Sequence, residues 1–343
     1  MQKLLTIIIP TYNMQDYLGR CLDSLIVSDD MMQSLEVLVI NDGSKDRSSQ
    51  IAYSYQDRFP NTFRVIDKEN GNYGSCVNRG LKEATGKYIK VLDADDWFGT
   101  ANFISFLEEL ESMDMDMVIT DFNQVDNDGT VVKTFRFKLP YNSPFLFQEI
   151  KDAEYYGLHS ITYKTQLLRE MNYRQTEGIS YTDTEWVFYP QTRVQKAIYL
   201  PLNVYHYVIG REGQTMDPQV LLKSAGHYTE LIRNMIEFSD NLSEFDARQI
   251  GACRLEAQIK HLSCGVYKIC LIKQNRQLFD ESLLSAFDNL LKNKRPIMYQ
   301  EIGKLRLNSY LPLSYVRFWR LLGIRFPVDA FREIYRRIRY GKA

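Results

Sequence analysis

The chain has 343 residues, 45% hydrophobic and 25% charged, with a formal net charge of −1. That balance excludes a disordered tail or a polybasic nucleic-acid binder, and the length calls for a main domain plus an additional module. The five cysteines are odd in number and contain no Cys-x-x-Cys pair, so neither a disulfide framework nor a zinc cluster is indicated, and a reducing cytoplasm fits them best.

In chain order, the apolar run over 4–9 is too short for a signal segment and reads as a first strand. No window reaches the roughly 18 apolar residues of a membrane span, so any membrane association is expected to be peripheral. A second buried strand is expected over 35–40. Between the two, Tyr17, Leu18, Cys21, Leu22 and Leu25 recur at helical spacing and present one apolar face. The alternation continues with a helix over 48–59, a strand over 63–67, a helix over 75–84, a strand over 88–92, a helix over 101–112 and a strand over 117–120. This pattern predicts an open α/β sheet. Asp128-Gly129, between Val125 and Val131, predicts a hairpin at which the sheet becomes mixed. From Pro218 onward long helical periodicity takes over, with a boundary placed near Met216.

Ligands of open α/β sheets bind beyond the carboxyl ends of the strands. Here those positions are polar in all four cases: Pro10-Thr11-Tyr12-Asn13, Asn41-Asp42-Gly43-Ser44, the 70–74 stretch Asn-Gly-Asn-Tyr-Gly, and Asp93-Ala94-Asp95-Asp96. The last is the sharpest signal. Three carboxylates within four residues repel one another unless a cation or hydrogen bonds offset the charge, and hard cations such as Mg²⁺ or Mn²⁺ prefer carboxylate oxygen. An acidic helix cap over Asp95-Asp96 is the competing reading.

The ordered set Thr6 to Asn13 (TIIIPTYN), Val39 to Ser44 (VINDGS), Asn78 to Gly80, and Ala84 to Trp97 (ATGKYIKVLDADDW) resembles the family 2 glycosyltransferases, over roughly residues 4–215. The resemblance implies a GT-A fold, a Rossmann-like and mostly parallel mixed sheet flanked by helices, as the catalytic domain over 1–215, with a helical C-terminal region over 216–343. It implies an inverting transfer from a nucleoside-diphosphate sugar to a saccharide or lipid-linked acceptor, as in bacterial capsule or exopolysaccharide assembly, and family frequency favours UDP. Carried over by position, Pro10, Thr11, Tyr12 and Asn13 would line the nucleobase pocket and Asp42 would contact the base. The Gly71–Gly74 loop would cover the nucleotide, and Ala94 would sit at the centre of the donor site. Asp93 would lie by ribose and metal, with Asp95 the direct metal ligand. Val77 stands where many relatives carry Arg.

An inverting transfer needs a base. The family takes it from a Glu-Asp pair opening a helix; here Thr182 replaces the Glu and Asp183 keeps the Asp, so Asp183 is assigned as base, with Glu185 as rival and a helix N-cap as the plain alternative. His206 falls on a predicted strand where some GT-A enzymes place a third metal ligand, although a structural role fits it better. His159 is expected on the acceptor side, and the Arg211 loop suits a diphosphate or a simple turn. Two other functions compete, a sugar nucleotidyltransferase and a non-catalytic carbohydrate-binding scaffold. For the C-terminal region an acceptor platform, a homodimer surface or a membrane foot would each suit. Its last segment, 311–343, carries eight Lys or Arg against two acidic residues interleaved with aromatics, as a peripheral contact on the inner membrane face would.

Overall fold

The computed structural model describes residues 3–150, 156–211, 218–242, 252–272, 280–306 and 314–325. It divides into two compact units, Met1–Gln214 with Leu242–Leu255, and Thr215–Asn241 with Glu256–Ala343.

The first unit is built on one mixed sheet. Its parallel part orders β3 (Phe63–Asp67), β2 (Leu35–Asn41), β1 (Leu5–Thr11) and β4 (Tyr88–Val91) side by side. Next come β9 (Ile161–Lys164), antiparallel to both neighbours, then β6 (Met117–Val125), β10 (Lys196–Val208) and β5 (Trp97–Phe98). Strand β7 (Val131–Phe135) pairs with β6 through the expected hairpin, whose Gly129 has φ +87°, and β8 (Phe145–Leu146) pairs with β10. The sheet is thus mixed from β9 onward.

Side-chain alternation explains why β1 and β2 read as nearly continuous apolar runs, interrupted by Thr6 and Glu36, whose side chains hydrogen-bond to each other. Leu5, Ile7, Ile9, Val37 and Val39 fill one core layer, and Ile8, Leu38 and Ile40 fill the layer on the other face. Gly80 of helix α4 (Asn72–Glu83) lets that helix lie directly on β1, because a Cβ there would meet Ile8 within 2.6 Å. Since β2 and β4 flank β1 on opposite sides, the crevice at the carboxyl ends of β1 and β4 is the topological switch point where such folds place ligands.

Several boundaries differ from those read in the sequence. Strand β1 runs on through Pro10 and Thr11, so these two residues are sheet rather than loop. Helix α4 begins at Asn72, not at 75, so the stretch read as a nucleotide-covering loop is its first turn. A short helix over Asp29–Ser34, which carries no strong apolar periodicity, lies just before β2 and buries Met32. Strand β6 extends five residues past 120, and β10 carries register shifts around Asn203, a bulge that re-aims its last residues.

In the second unit, helices Ala252–Ile272, Glu281–Lys294 and Tyr315–Leu322 meet at a buried polar knot. Tyr267 Oη donates to Asp288 Oδ1 at 2.5 Å, and Arg320 closes on the same carboxylate at 2.7 Å while stacking 3.5 Å from the Tyr299 ring. No helix among the described residues is long and apolar enough to cross a membrane.

Candidate active site

The four strand-end segments are tied to one another by hydrogen bonds. Asn13, at φ +53°, joins the first to the second: its N–H donates to Ser44 Oγ (3.1 Å) and its Oδ1 accepts from the Lys45 N–H (2.8 Å). Asp42 joins the second to the third, accepting from Lys68 Nζ at 2.5 Å and from the Gly71 N–H at 3.0 Å. Tyr73 joins the third to the fourth, its hydroxyl donating to Asp93 Oδ1 at 2.7 Å. Asn residues suit this work because their short polar side chains tolerate the left-handed region, which Asn13 and Asn72 both occupy.

Within this rim the sequence-predicted residues take different positions. Tyr12 stands 45% exposed with its ring open to solvent. Pro10 is buried in β1, the Thr11 hydroxyl turns back to the Ile9 carbonyl, and Ala94 packs in the core. Gly71 precedes α4, and Gly74 is pressed against the Thr176 carbonyl, where a Cβ would approach to 2.1 Å; Gly74 therefore serves helix packing and not a flexible cover.

The three carboxylates of the fourth segment diverge. Asp96 is buried, and each of its oxygens is occupied: Oδ2 accepts from Tyr205 Oη and Oδ1 from the Val208 N–H, both at 2.7 Å. It does not cap the following helix, α5 (Thr100–Ser112), which has no side-chain cap at its start. Burial, then the charges of Asp95 and Asp93, push its carboxyl well above the usual range. Asp95 turns the other way and meets Arg211 Nε at 2.5 Å. Asp93 lies between them, its carboxyl pushed up to about 7 by burial first and by Asp95 second.

Do these residues fit a divalent cation? Ligand atoms of Asp93, Asp96 and His159 lie within 4.8 Å of one another, and His159 Nδ1 is buried with no hydrogen-bond partner. Burial pushes the imidazole down to about 3, the neutral form that ligates. A raised, crowded carboxylate and an orphaned imidazole nitrogen are what a cation-binding group shows before its charge is offset, so the donor set fits. Because both Asp96 oxygens already hold β10 in place, Asp93 and Asp95 are the freer oxygen donors. His206 is not part of this group; its ring lies edge-on to Trp97 at 5.4 Å, and its Nδ1, like that of His159, is buried with no hydrogen-bond partner.

Asp183 is the first residue of helix α7 (Asp183–Phe188), and the helix has no side-chain cap from Thr182 before it. Burial pushes its carboxyl up to about 6, against the opposing pull of the Thr184 and Asp183 backbone N–H groups. It is near enough for its charge to raise both Asp93 and Tyr73. The preceding Tyr181 is held at φ +69°, an uncommon conformation for an aromatic residue and a local strain that fixes how α7 enters the site. Glu185 is otherwise engaged: it is buried, and its two oxygens accept from the Thr176 N–H and hydroxyl, each at 2.7 Å.

Four contributors escaped the sequence reading. Lys68 directly follows a strand that was read correctly, and a cation beside the Asp42 segment was a usable signal. Tyr73 stands within the polar 70–74 stretch without being marked out there, and Tyr205 gives no signal until the fold brings it to Asp96. Buried Lys90, whose Nζ donates to the carbonyls of His159 (2.9 Å) and Ile161 (3.1 Å), anchors the His159 segment beneath the site.

The mixed sheet, with an acidic segment at the end of β4 and a raised carboxylate opening a later helix, has the arrangement of the GT-A fold. The model of glycosyl transferase family 2 matches residues 6–176, and through that region the chain belongs to this family. The chain is 37% identical over 128 residues to the glycosyltransferase EpsJ of Bacillus subtilis, a match covering 37% of this chain and 36% of that protein. It thus spans well under two thirds of that relative's length. In fold it is similar to S. aureus TarS 1–349, with a TM-score of 0.67 at 18% identity over 99% of this chain and 92% of that one. TarS has also been solved with UDP-GlcNAc. A mannosyltransferase from Pyrobaculum calidifontis, solved with GDP-Man and Mn²⁺, matches at a TM-score of 0.51 and 15% identity over 88% of this chain and 83% of that one.

Proposed function

We propose that the enzyme transfers a sugar, with inversion, from a nucleoside-diphosphate sugar to a hydroxyl of a saccharide or lipid-linked acceptor in polysaccharide biosynthesis, with Mn²⁺ or Mg²⁺ as cofactor and UDP as the nucleotide. The observation that carries this reading is the separation of duties among the acids: Asp93 and Asp95 close enough at the end of β4 for one charge to raise the other's carboxyl, and Asp183 on α7 with its own carboxyl raised toward neutrality.

In this reading Tyr12 stacks on the base, while Asp42, fixed by Lys68 and Gly71, sets the base edge. Asp93 and Asp95 hold the divalent ion, which when bound offsets charge on the departing diphosphate. Arg211, paired with Asp95, exchanges that carboxylate for the diphosphate and stabilises the same charge. Asp183 removes the proton from the acceptor hydroxyl as its oxygen attacks the anomeric carbon. The carbon–oxygen bond to the diphosphate breaks on the opposite face, which inverts the configuration.

Calorimetric titration with UDP in the presence of Mn²⁺ tests the nucleotide half of the reading. Tyr12→Ala is expected to weaken binding about tenfold, the scale of one base–aromatic stack. Equal affinity in the variant would remove Tyr12 from the pocket, and preference for another nucleoside diphosphate would displace UDP.

A further inference from the structure

The net charge of −1 conceals a division between the two units. The unit formed by Thr215–Asn241 and Glu256–Ala343 holds 19 Lys and Arg against 11 Asp and Glu, a net charge of +8. The catalytic unit holds 23 against 32, a net charge of −9. Such a split between folded parts of one chain signals two different electrostatic partners.

Among its described residues the positive unit exposes a lone Ile297 and one cluster of aliphatic side chains. Helix Tyr315–Leu322 buries Tyr315, Val316 and Trp319, and at its end leaves Leu321 72%, Leu322 59% and Ile324 56% exposed. Gly323, at φ +66°, ends the helix in the left-handed conformation and turns the chain so that Ile324 follows the two leucines into solvent. Isolated exposed aliphatics are ordinary, but three within four residues form a point. Arg317 is exposed on the same helix, whereas Arg320 is committed to Asp288. Beyond residue 325 the sequence adds Arg332, Arg336, Arg337, Arg339 and Lys342 against Asp329 and Glu333.

We propose that this unit docks on an anionic phospholipid surface, with Leu321, Leu322 and Ile324 entering the headgroup–acyl boundary and Arg317, with the unit's net positive charge, drawn to the lipid phosphates. Aliphatic tip and cations together select this partner. A nucleic acid would use the charge but leave three aliphatic side chains in water, and a neutral bilayer would use the aliphatics but not the charge. The proposal concerns where the enzyme works and is independent of the donor chemistry.

The test is co-sedimentation of the full chain with vesicles of phosphatidylcholine alone or mixed with phosphatidylglycerol. Binding to the mixed vesicles is expected, weaker binding to the neutral ones, and a decline with added salt. Leu321→Asp combined with Ile324→Asp should lower the partition coefficient roughly tenfold or more, because each substitution removes a buried aliphatic and adds a charge repelled by the lipid. Arg317→Glu should lower it on anionic vesicles only. As all three side chains are exposed, the variants should keep the wild-type melting curve and UDP affinity, which separates a docking defect from a failed fold or a failed catalytic reading. No vesicle binding by the wild-type chain, equal binding to both vesicle types, unchanged binding by the double variant, or preference for an oligonucleotide over vesicles would each overturn the proposal.

Discussion

Asp183→Asn is expected to lower kcat by roughly a hundred- to ten-thousandfold, the contribution of a positioned general base, while leaving UDP affinity unchanged. The amide keeps the shape and the backbone contacts at the start of α7 but cannot take a proton. The ionisation of Asp183 also gives the pH profile a definite sign. A base works only when deprotonated, and burial holds this carboxyl at about 6. The rate should therefore be level above that value and fall about tenfold for each pH unit below it, as protonation removes the active form. Glu185→Gln supplies the contrast. It weakens the two bonds that join α7 to Thr176, so the melting temperature should fall while kcat of the folded enzyme stays within a few-fold of wild type. The reverse pattern, with full turnover in Asp183→Asn and loss in Glu185→Gln, would move the base to Glu185.

The second large effect is expected at Asp95. Replacing it with asparagine should reduce turnover by about a hundred- to a thousandfold and weaken Mn²⁺ binding, read directly by electron paramagnetic resonance. Asp95 is preferred over Asp96 here because of where their oxygens already point. Asp96 is bonded to Tyr205 and Val208 and holds the end of β10 in place, whereas Asp95, among the described residues, is hydrogen-bonded to the Arg211 side chain, which the donor's diphosphate can draw away. Asp96→Asn should accordingly lower stability, and Asp95→Asn should lower metal affinity with little change in melting. Unchanged manganese affinity in Asp95→Asn would transfer the ligand role to Asp93 with Asp96 and His159.

Much of this architecture was legible because of the way parallel strands are buried. A strand covered on both faces must be apolar throughout, so the point where the run stops and Asn, Asp or Gly begins marks the carboxyl end of the strand and hence the ligand rim. The acidic cluster after β4 is legible this way, whereas Asp183 is placed by the family resemblance, which also supplies the roles. What the sequence could not show was how neighbouring side chains would divide the work. Asp93, Asp95 and Asp96 look alike in a string, yet one accepts from Tyr73, one pairs with Arg211 and one is bonded to β10. Those partners lie far away along the chain, and the β10 bulge that helps bring Tyr205 to Asp96 leaves no periodic signature. Glycine was misleading in one place. Gly74, which reads as loop freedom, is demanded by the close approach of the Thr176 carbonyl to a helix.

The central claim, that this crevice cleaves an activated sugar with the help of a divalent ion, is tested most directly by release of free nucleoside diphosphate from a panel of sugar nucleotides with Mn²⁺ or with chelator. Slow hydrolysis of one UDP-sugar, abolished by chelator and by Asp95→Asn, is the result predicted. Release that is indifferent to metal, or none from any donor in the panel despite measurable UDP binding, would contradict it.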